Sequence, residues 1–211
     1  LHVTAGIAAG RQPFCNTGFS IIRTFKDTFY IMSIAKLDDF LDVPFGASSE
    51  TAKQRISLRY DSVFDEANSN ADTLFFNGIS FGGRPTRFIL LLFHENKFCK
   101  ACVYFRTDNE SRVLPTYLEI KDELNKKYFK TEQDYQNFKS PYDKDDGFTI
   151  TAIAKDKADF SCYWNFKSDG IEEDYISLKI NDDLDIVLAY ENGDLMDQLI
   201  TKNKKDSSAD Y

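Results

Sequence analysis

The strongest constraint on this chain is a period of two. In residues 98–106, Cys99, Ala101, Val103 and Phe105 fall on one side of an extended backbone, and Lys100, Cys102, Tyr104 and Arg106 on the other. In residues 159–166, Phe160, Cys162, Trp164 and Phe166 oppose Ser161, Tyr163 and Asn165. In residues 175–180, Ile176, Leu178 and Ile180 oppose Tyr175, Ser177 and Lys179. Consecutive side chains of a strand point to opposite faces of a sheet. Each segment therefore has an apolar side that must be covered and a polar-aromatic side that need not be. Slipping the pairing by one residue would exchange the two sides, so register is strongly specified. The expectation is an α+β fold, a mostly antiparallel sheet with helices packed on one face.

The remaining segments supply the covering layer. Ser48 can accept hydrogen bonds from the free N–H groups of a first helical turn, and Glu50 lies at the positive end of the helix dipole. Ala52, Ile56, Tyr60 and Val63 recur at helical spacing, which predicts an amphipathic helix over about 49–61. Residues 68–72 read as a loop. Strands are expected over 73–81, 86–94 and 98–106, separated by turns at Gly82-Gly83-Arg84-Pro85 and Glu95-Asn96-Lys97. Residues 88–93 are apolar on both faces and read as the central strand, covered on both sides for part of its length.

Pro115 suits the first position of a second helix, with Tyr117, Ile120, Leu124 and Tyr128 as its apolar stripe. Residues 131–138 read as a further short helix, capped by Thr131, with Tyr135 and Phe138 turned inward. An acidic loop over 140–147 precedes strands over 148–154, 159–166, 175–180 and 184–190. Gly193-Asp194 breaks the chain before a short helix over 195–201. The links between strands are too short for parallel crossovers. The helix-then-meander order occurs twice, giving possible tandem halves 37–108 and 109–201 of one domain over 37–201. Residues 1–36 read as an N-terminal extension or arm, with strand over 19–34, and 202–211 as a polar tail.

Composition removes several classes of function. With 26 Lys+Arg against 34 Asp+Glu, the chain carries a net charge of −8. That balance argues against non-specific nucleic-acid binding, which depends on neutralising phosphates. An aromatic content of 15% is unlike the make-up of disordered chains. No apolar run is long enough for a transmembrane helix. Four cysteines, Cys15, Cys99, Cys102 and Cys162, are too few for a disulfide scaffold in a chain this long. Two histidines, His2 and His94, leave little for histidine-based catalysis.

Three motifs have spacings that resemble chemical sites. Cys99-Lys-Ala-Cys102 has the C-x-x-C spacing, but side chains three apart in a strand diverge, and no second Cys or His pair completes a zinc site. Asp143-Lys-Asp-Asp-Gly147 resembles the start of a calcium loop. Its Gly falls fifth instead of sixth, and position twelve is Ala154, so the EF-hand frame fails. A solvated acidic loop and calcium binding outside that frame stay open. Gly78-Ile-Ser-Phe-Gly-Gly83 lacks the Gly-Lys-Ser/Thr of a phosphate loop. No cofactor and no metal ligand set is expected.

The run Phe40-Leu-Asp-Val-Pro-Phe-Gly-Ala-Ser-Ser-Glu-Thr-Ala-Lys53, its helix, and then Phe76-Asn-Gly-Ile-Ser-Phe-Gly-Gly83 and Cys102-Val-Tyr-Phe105 resemble small, often exported proteins of Bacteroides-type bacteria. The element order resembles the β-lactamase-inhibitor-protein-like fold, shared with the small outer-membrane assembly lipoprotein. By motif the resemblance covers about residues 40–106. It implies a non-enzymatic binding or envelope role and a periplasmic or exported location, although residues 1–12 lack the basic-then-apolar order of a signal peptide.

The functional expectation is a non-catalytic module that presents one open sheet face to a protein or peptide partner. Tyr104, Arg106, Tyr163, Asn165, Tyr175 and Lys179 are its candidate binding residues, because Tyr and Arg combine contact area with polar tips. Substituting Arg106→Glu and Tyr163→Ala is expected to weaken capture and leave thermal stability nearly unchanged. Two other readings stand beside it: an enzyme with a carboxylate-based or metal-assisted site in a cleft, and a structural subunit docked through residues 1–36. Both the oligomeric state and an ordinary solvated sheet face are open at this point.

Overall fold

Apolar side chains at every second position leave water only if another layer covers their side of the sheet, and helices provide that layer. The computed structural model describes residues 36–60, 63–167 and 170–208. In chain order they form β1 (Asp39–Phe40), β2 (Val43–Pro44), α1 (Ser49–Arg59), β3 (Val63–Asn70), β4 (Thr73–Asn77), β5 (Ser80–Phe81), β6 (Arg84–Pro85), β7 (Phe88–His94) and β8 (Lys97–Phe105). A single 3-10 turn, Glu110–Arg112, leads into α2 (Val113–Lys127). Then follow β9 (Gln133–Phe138), α3 (Thr149–Ala154), β10 (Ala158–Phe166), β11 (Asp174–Ile180), β12 (Ile186–Glu191) and α4 (Gly193–Ser208). The expected arm, including the strand over 19–34 and Cys15, lies outside the described residues.

Eight strands make one antiparallel sheet in the order β3-β4-β7-β8-β12-β11-β10-β9. It consists of two four-stranded meanders joined through their last strands. At that seam Phe105 lies opposite Ile186 and Lys100 opposite Glu191. The first strands of the meanders, β3 and β9, are the two edges. The fold is α+β, with helices packed on one face of the sheet. From α1 come Ala52 and Ile56, from α2 Val113, Tyr117, Ile120 and Leu124, and from α3 Ala152 and Ile153. They meet Phe76, Leu91, Phe98, Val103, Trp164 and Leu188 of the sheet in one continuous core. Each such buried Leu, Ile or Phe contributes ~1.5–3 kcal/mol of transfer free energy. No helix among the described residues is long and apolar enough to cross a membrane.

Local chemistry explains most boundaries. Ser48 caps α1 by accepting from the Thr51 N–H, and Tyr60 ends the helix in extended conformation. The β7–β8 hairpin turns on Glu95 and Asn96, both with positive φ (49° and 59°), as a tight two-residue connection demands. The Asn96 side chain also accepts from the backbone and hydroxyl of Ser49, tying the hairpin to the start of α1.

Six expectations are corrected. Of residues 131–138, Gln133–Phe138 are an edge strand and none is helical: the segment has no apolar stripe at helical spacing, and pairing with β10 satisfies backbone groups that would otherwise be orphaned. Tyr135 consequently faces outward opposite Ser161 and is exposed. Residues 148–154, expected as a strand, form α3 (Thr149–Ala154) instead; both sides of the following strand, β10, are taken by β9 and β11. Residues 68–70, expected in a loop, belong to β3, where Asp65 gathers the backbone and side chain of Asn68 at an irregular register. The single strand expected over 73–81 stops at Asn77, because Gly78 turns the chain at φ 75° into the β5–β6 hairpin.

Strand β7 is not the centre of the sheet and is not covered on both sides. Ile89, Leu91 and Phe93 enter the core, while Phe88, Leu90 and Leu92 are half-buried on the other face. The strand buried on both faces is β12. Finally, α4 continues to Ser208 and takes in most of the expected polar tail.

Candidate functional site

The register carries the polar-aromatic side chains into rows that cross the sheet. One row reads Asp65, Phe75, Leu90, Cys102, Ala189, Ser177, Tyr163 and Gln133. A second reads Leu92, Lys100, Glu191, Tyr175 and Asn165, and a third Phe88, Tyr104, Val187, Lys179 and Ser161. Tyr104, Tyr163, Asn165, Tyr175 and Lys179 thus share one face, and Arg106 follows Tyr104 at the end of β8. The centre of that face is a small apolar patch of Cys102, Val187 and Ala189, screened by Leu90 and Tyr104. Among the described residues, no side chain of α4 belongs to this patch or to the main core cluster.

Two carboxylates are buried on the face, and each recruits its own cations. Asp185, in the turn between β11 and β12, accepts from Arg87 Nη1 at 2.6 Å and Arg106 Nε at 2.9 Å. Only 2% of its side chain is exposed. Glu191 at the end of β12 accepts from Lys100 Nζ at 2.7 Å and from the Tyr175 hydroxyl at 2.6 Å. Burial works against the Lys100 ammonium, yet the neighbouring Cys102 sulfur and Glu191 carboxylate outweigh it, and its pKa is raised. Burial also pushes the Tyr175 phenol up, as does its bond to Glu191.

The six candidate residues therefore divide by what their side chains already do. Arg106 and Tyr175 satisfy buried carboxylates, so they are part of what holds the sheet together. Replacing Arg106 by Glu would set a second carboxylate beside Asp185, so stability would fall, contrary to the expectation above. Tyr104 packs its ring on Phe88 with centroids 4.4 Å apart. Tyr163 lies between Tyr135 (6.1 Å) and Tyr175 (6.4 Å) in a run of three tyrosines. Asn165 and Lys179 are exposed. Beside Tyr163 and Asn165 a cavity of about 260 Å³ opens against Phe129 and Lys130. Tyr135 was missed at the sequence level because its segment read as a helix. Its alternation with Gln133 and Asn137 in a polar run was the available signal.

The other motifs resolve into structure. Cys99, Cys102 and Cys162 are buried and free. Burial pushes each thiol up to about 11, far from the thiolate that redox or metal chemistry uses. In the acidic loop Asp146 accepts from the Asp143 and Phe148 N–H groups, so its carboxylate closes the turn that starts α3. Among the described residues no three His, Cys, Asp or Glu side chains gather as a metal site. No family model, curated protein or solved structure matches the chain.

Proposed function

We propose that the protein is a non-catalytic binding module whose polar-aromatic sheet face takes a peptide segment of a partner protein. The observation that carries this reading is the exposed part of the face from β8 to β9. There a run of tyrosines (Tyr135, Tyr163, Tyr175), Lys179, which has no carboxylate partner among the described residues, and a side-chain-sized cavity adjoin one another.

Size favours a peptide over a large partner surface. At full width, five strands span roughly 24 Å and three rows of side chains roughly 20 Å. The resulting patch, on the order of 480 Å², is little more than half of what a standard protein–protein interface buries per partner. Tyrosine supplies contact area at low entropic cost and can donate or accept at its tip. Because Asp185 and Glu191 are already neutralised, Lys179 and the Arg87–Arg106 pair outweigh the exposed Asp159 of β10 and leave this face with a small cationic excess on an otherwise acidic protein. That favours a segment carrying carboxylates.

The test is differential capture from native lysate by the full chain. Tyr163→Ala with Lys179→Glu removes contacts while leaving the buried carboxylates paired; Leu58→Ser, on an exposed position of α1, is the control. The reading expects capture of a discrete partner by the parent and the control, and its loss in the double variant with unchanged Trp164 fluorescence. Equal capture by all three proteins would overturn it.

A further inference from the structure

A second concave site lies away from the open face, where β6, the end of β8 and the start of α2 meet. Its cavity measures about 400 Å³, within the range of small-molecule pockets. The loop 107–109 that forms one wall is internally braced. Thr107 donates to the Asn109 carbonyl, and Asn109 Oδ1 caps the following turn by accepting from the Ser111 N–H at 2.9 Å.

The donors that remain are what distinguish this cavity. Asn109 has its amide Nδ2 left over. The Arg112 backbone N–H donates to the Asn109 carbonyl, but its guanidinium makes no hydrogen bond among the described residues and pairs only loosely with Glu119, at 3.8 Å. Arg106 uses only Nε on Asp185, leaving its two terminal nitrogens. Thr116 projects from α2 into the lining and is buried, yet its hydroxyl has no hydrogen-bond partner among the described residues. An unpaired buried hydroxyl is costly, so one at a cavity wall implies a group that arrives to pair with it. Arg84, by contrast, is spent: both its terminal nitrogens bind Glu123 at 2.7 Å.

The signs of the remaining charges narrow the ligand. Two guanidinium groups with spare donors match the planar fork of a carboxylate. Two carboxylates also line the cavity: Glu119 pairs with Arg84 at 3.4 Å and Arg112 at 3.8 Å, whereas Asp108 has no cation among the described residues. It would repel a phosphate dianion but would receive an ammonium group. Phe105 and Pro85 offer an apolar wall between them. We infer that this cavity binds a free α-amino acid, its carboxylate on Arg106, Arg112 and Thr116, its ammonium on Asp108, and its side chain against Phe105 and Pro85. Arg106 is shared with the end of the open face, but Arg112 and Thr116 are not on it, so variants of these two test the inference separately from the peptide reading.

The test is a titration of the isotope-labelled full chain with each of the twenty L-α-amino acids in turn, following backbone amides of residues 105–116 by NMR. At least one should give a saturable shift below ~10 mM. The carboxamide of that amino acid, and the analogue lacking its ammonium group, should each bind ~10-fold or more weakly. Arg112→Ala and Thr116→Val should weaken binding by a similar factor without moving the melting temperature. No saturation with any amino acid, equal affinity for the carboxamide, or tighter binding of inorganic phosphate would each overturn the assignment.

Discussion

The Asp185 clamp makes a quantitative prediction. Its carboxylate is almost wholly buried, while the two cations that hold it, Arg87 and Arg106, are about half exposed (42% and 52% of their side chains). Removing one cation leaves the other in place, so Arg87→Ala or Arg106→Ala alone should cost about one charge-assisted hydrogen bond, ~1.5–3 kcal/mol at most. Removing both leaves a buried carboxylate without compensation, for which ~3–5 kcal/mol is expected. A domain of this size loses about 2–4 °C of melting temperature per kcal/mol, so the double variant should melt roughly 6–20 °C lower. Urea unfolding followed by fluorescence reads this directly, because the single tryptophan, Trp164, is fully buried and held by Asn125 and Phe129. The decisive control adds Asp185→Asn to the double variant. Discharging the orphaned group should recover most of the loss, since replacing both members of a buried pair is nearly neutral. A double variant within ~1 kcal/mol of the parent, or a triple variant no better than the double, would refute the claim that these arginines act by neutralising Asp185.

Two further predictions follow from the same packing. The thiols of Cys99, Cys102 and Cys162, each pushed up to about 11 by burial, should resist iodoacetamide at pH 8 in the native protein and react in urea, as peptide mass mapping would show; native labelling of Cys102 would contradict the closed patch around it. The Asp174 carboxyl is raised from its ordinary 3.8, first by burial and then by Asp194 and Asp38, against the opposing bond from the Gly193 N–H. A carboxyl raised in the folded state favours folding most below its unfolded pKa, and that contribution is lost as pH climbs through the folded value. Asp174→Asn should therefore flatten the pH dependence of urea stability from about 3.8 upward, and an unchanged slope would show that Asp174 does not titrate in that window.

How far the fold could be read in advance depended on which residues carried the information. Where one face is core, alternation is forced by burial. The strands containing Trp164, Leu178 and Val103 were therefore legible, and so was their common polar side. The failures came where burial says little about the element. Gln133–Phe138 is exposed almost throughout, so nothing in its pattern enforces period two, and only the vacant edge of β10 makes it a strand. Thr149–Ala154 is short and β-branched yet helical, and both sides of the following strand, β10, are taken.

The same asymmetry governs the candidate site. Strand periodicity could place Arg106 and Tyr175 on the right face, but it carries no information about partners. Asp185 lies 79 residues from Arg106 and 98 from Arg87, brought to them only when β12 closes the two meanders through β8. A surface chosen by side-chain type alone therefore mixes two populations. Arg106 through its Nε and Tyr175 through its hydroxyl are committed to buried acids, while the polar tips of Tyr163, Asn165 and Lys179 have no side-chain hydrogen bond among the described residues. The uncommitted group is the one whose substitution tests binding without testing folding. In the cavity at the start of α2, the buried Thr116 hydroxyl is likewise informative because no described residue pairs with it, which a helical stripe of apolar residues could not reveal.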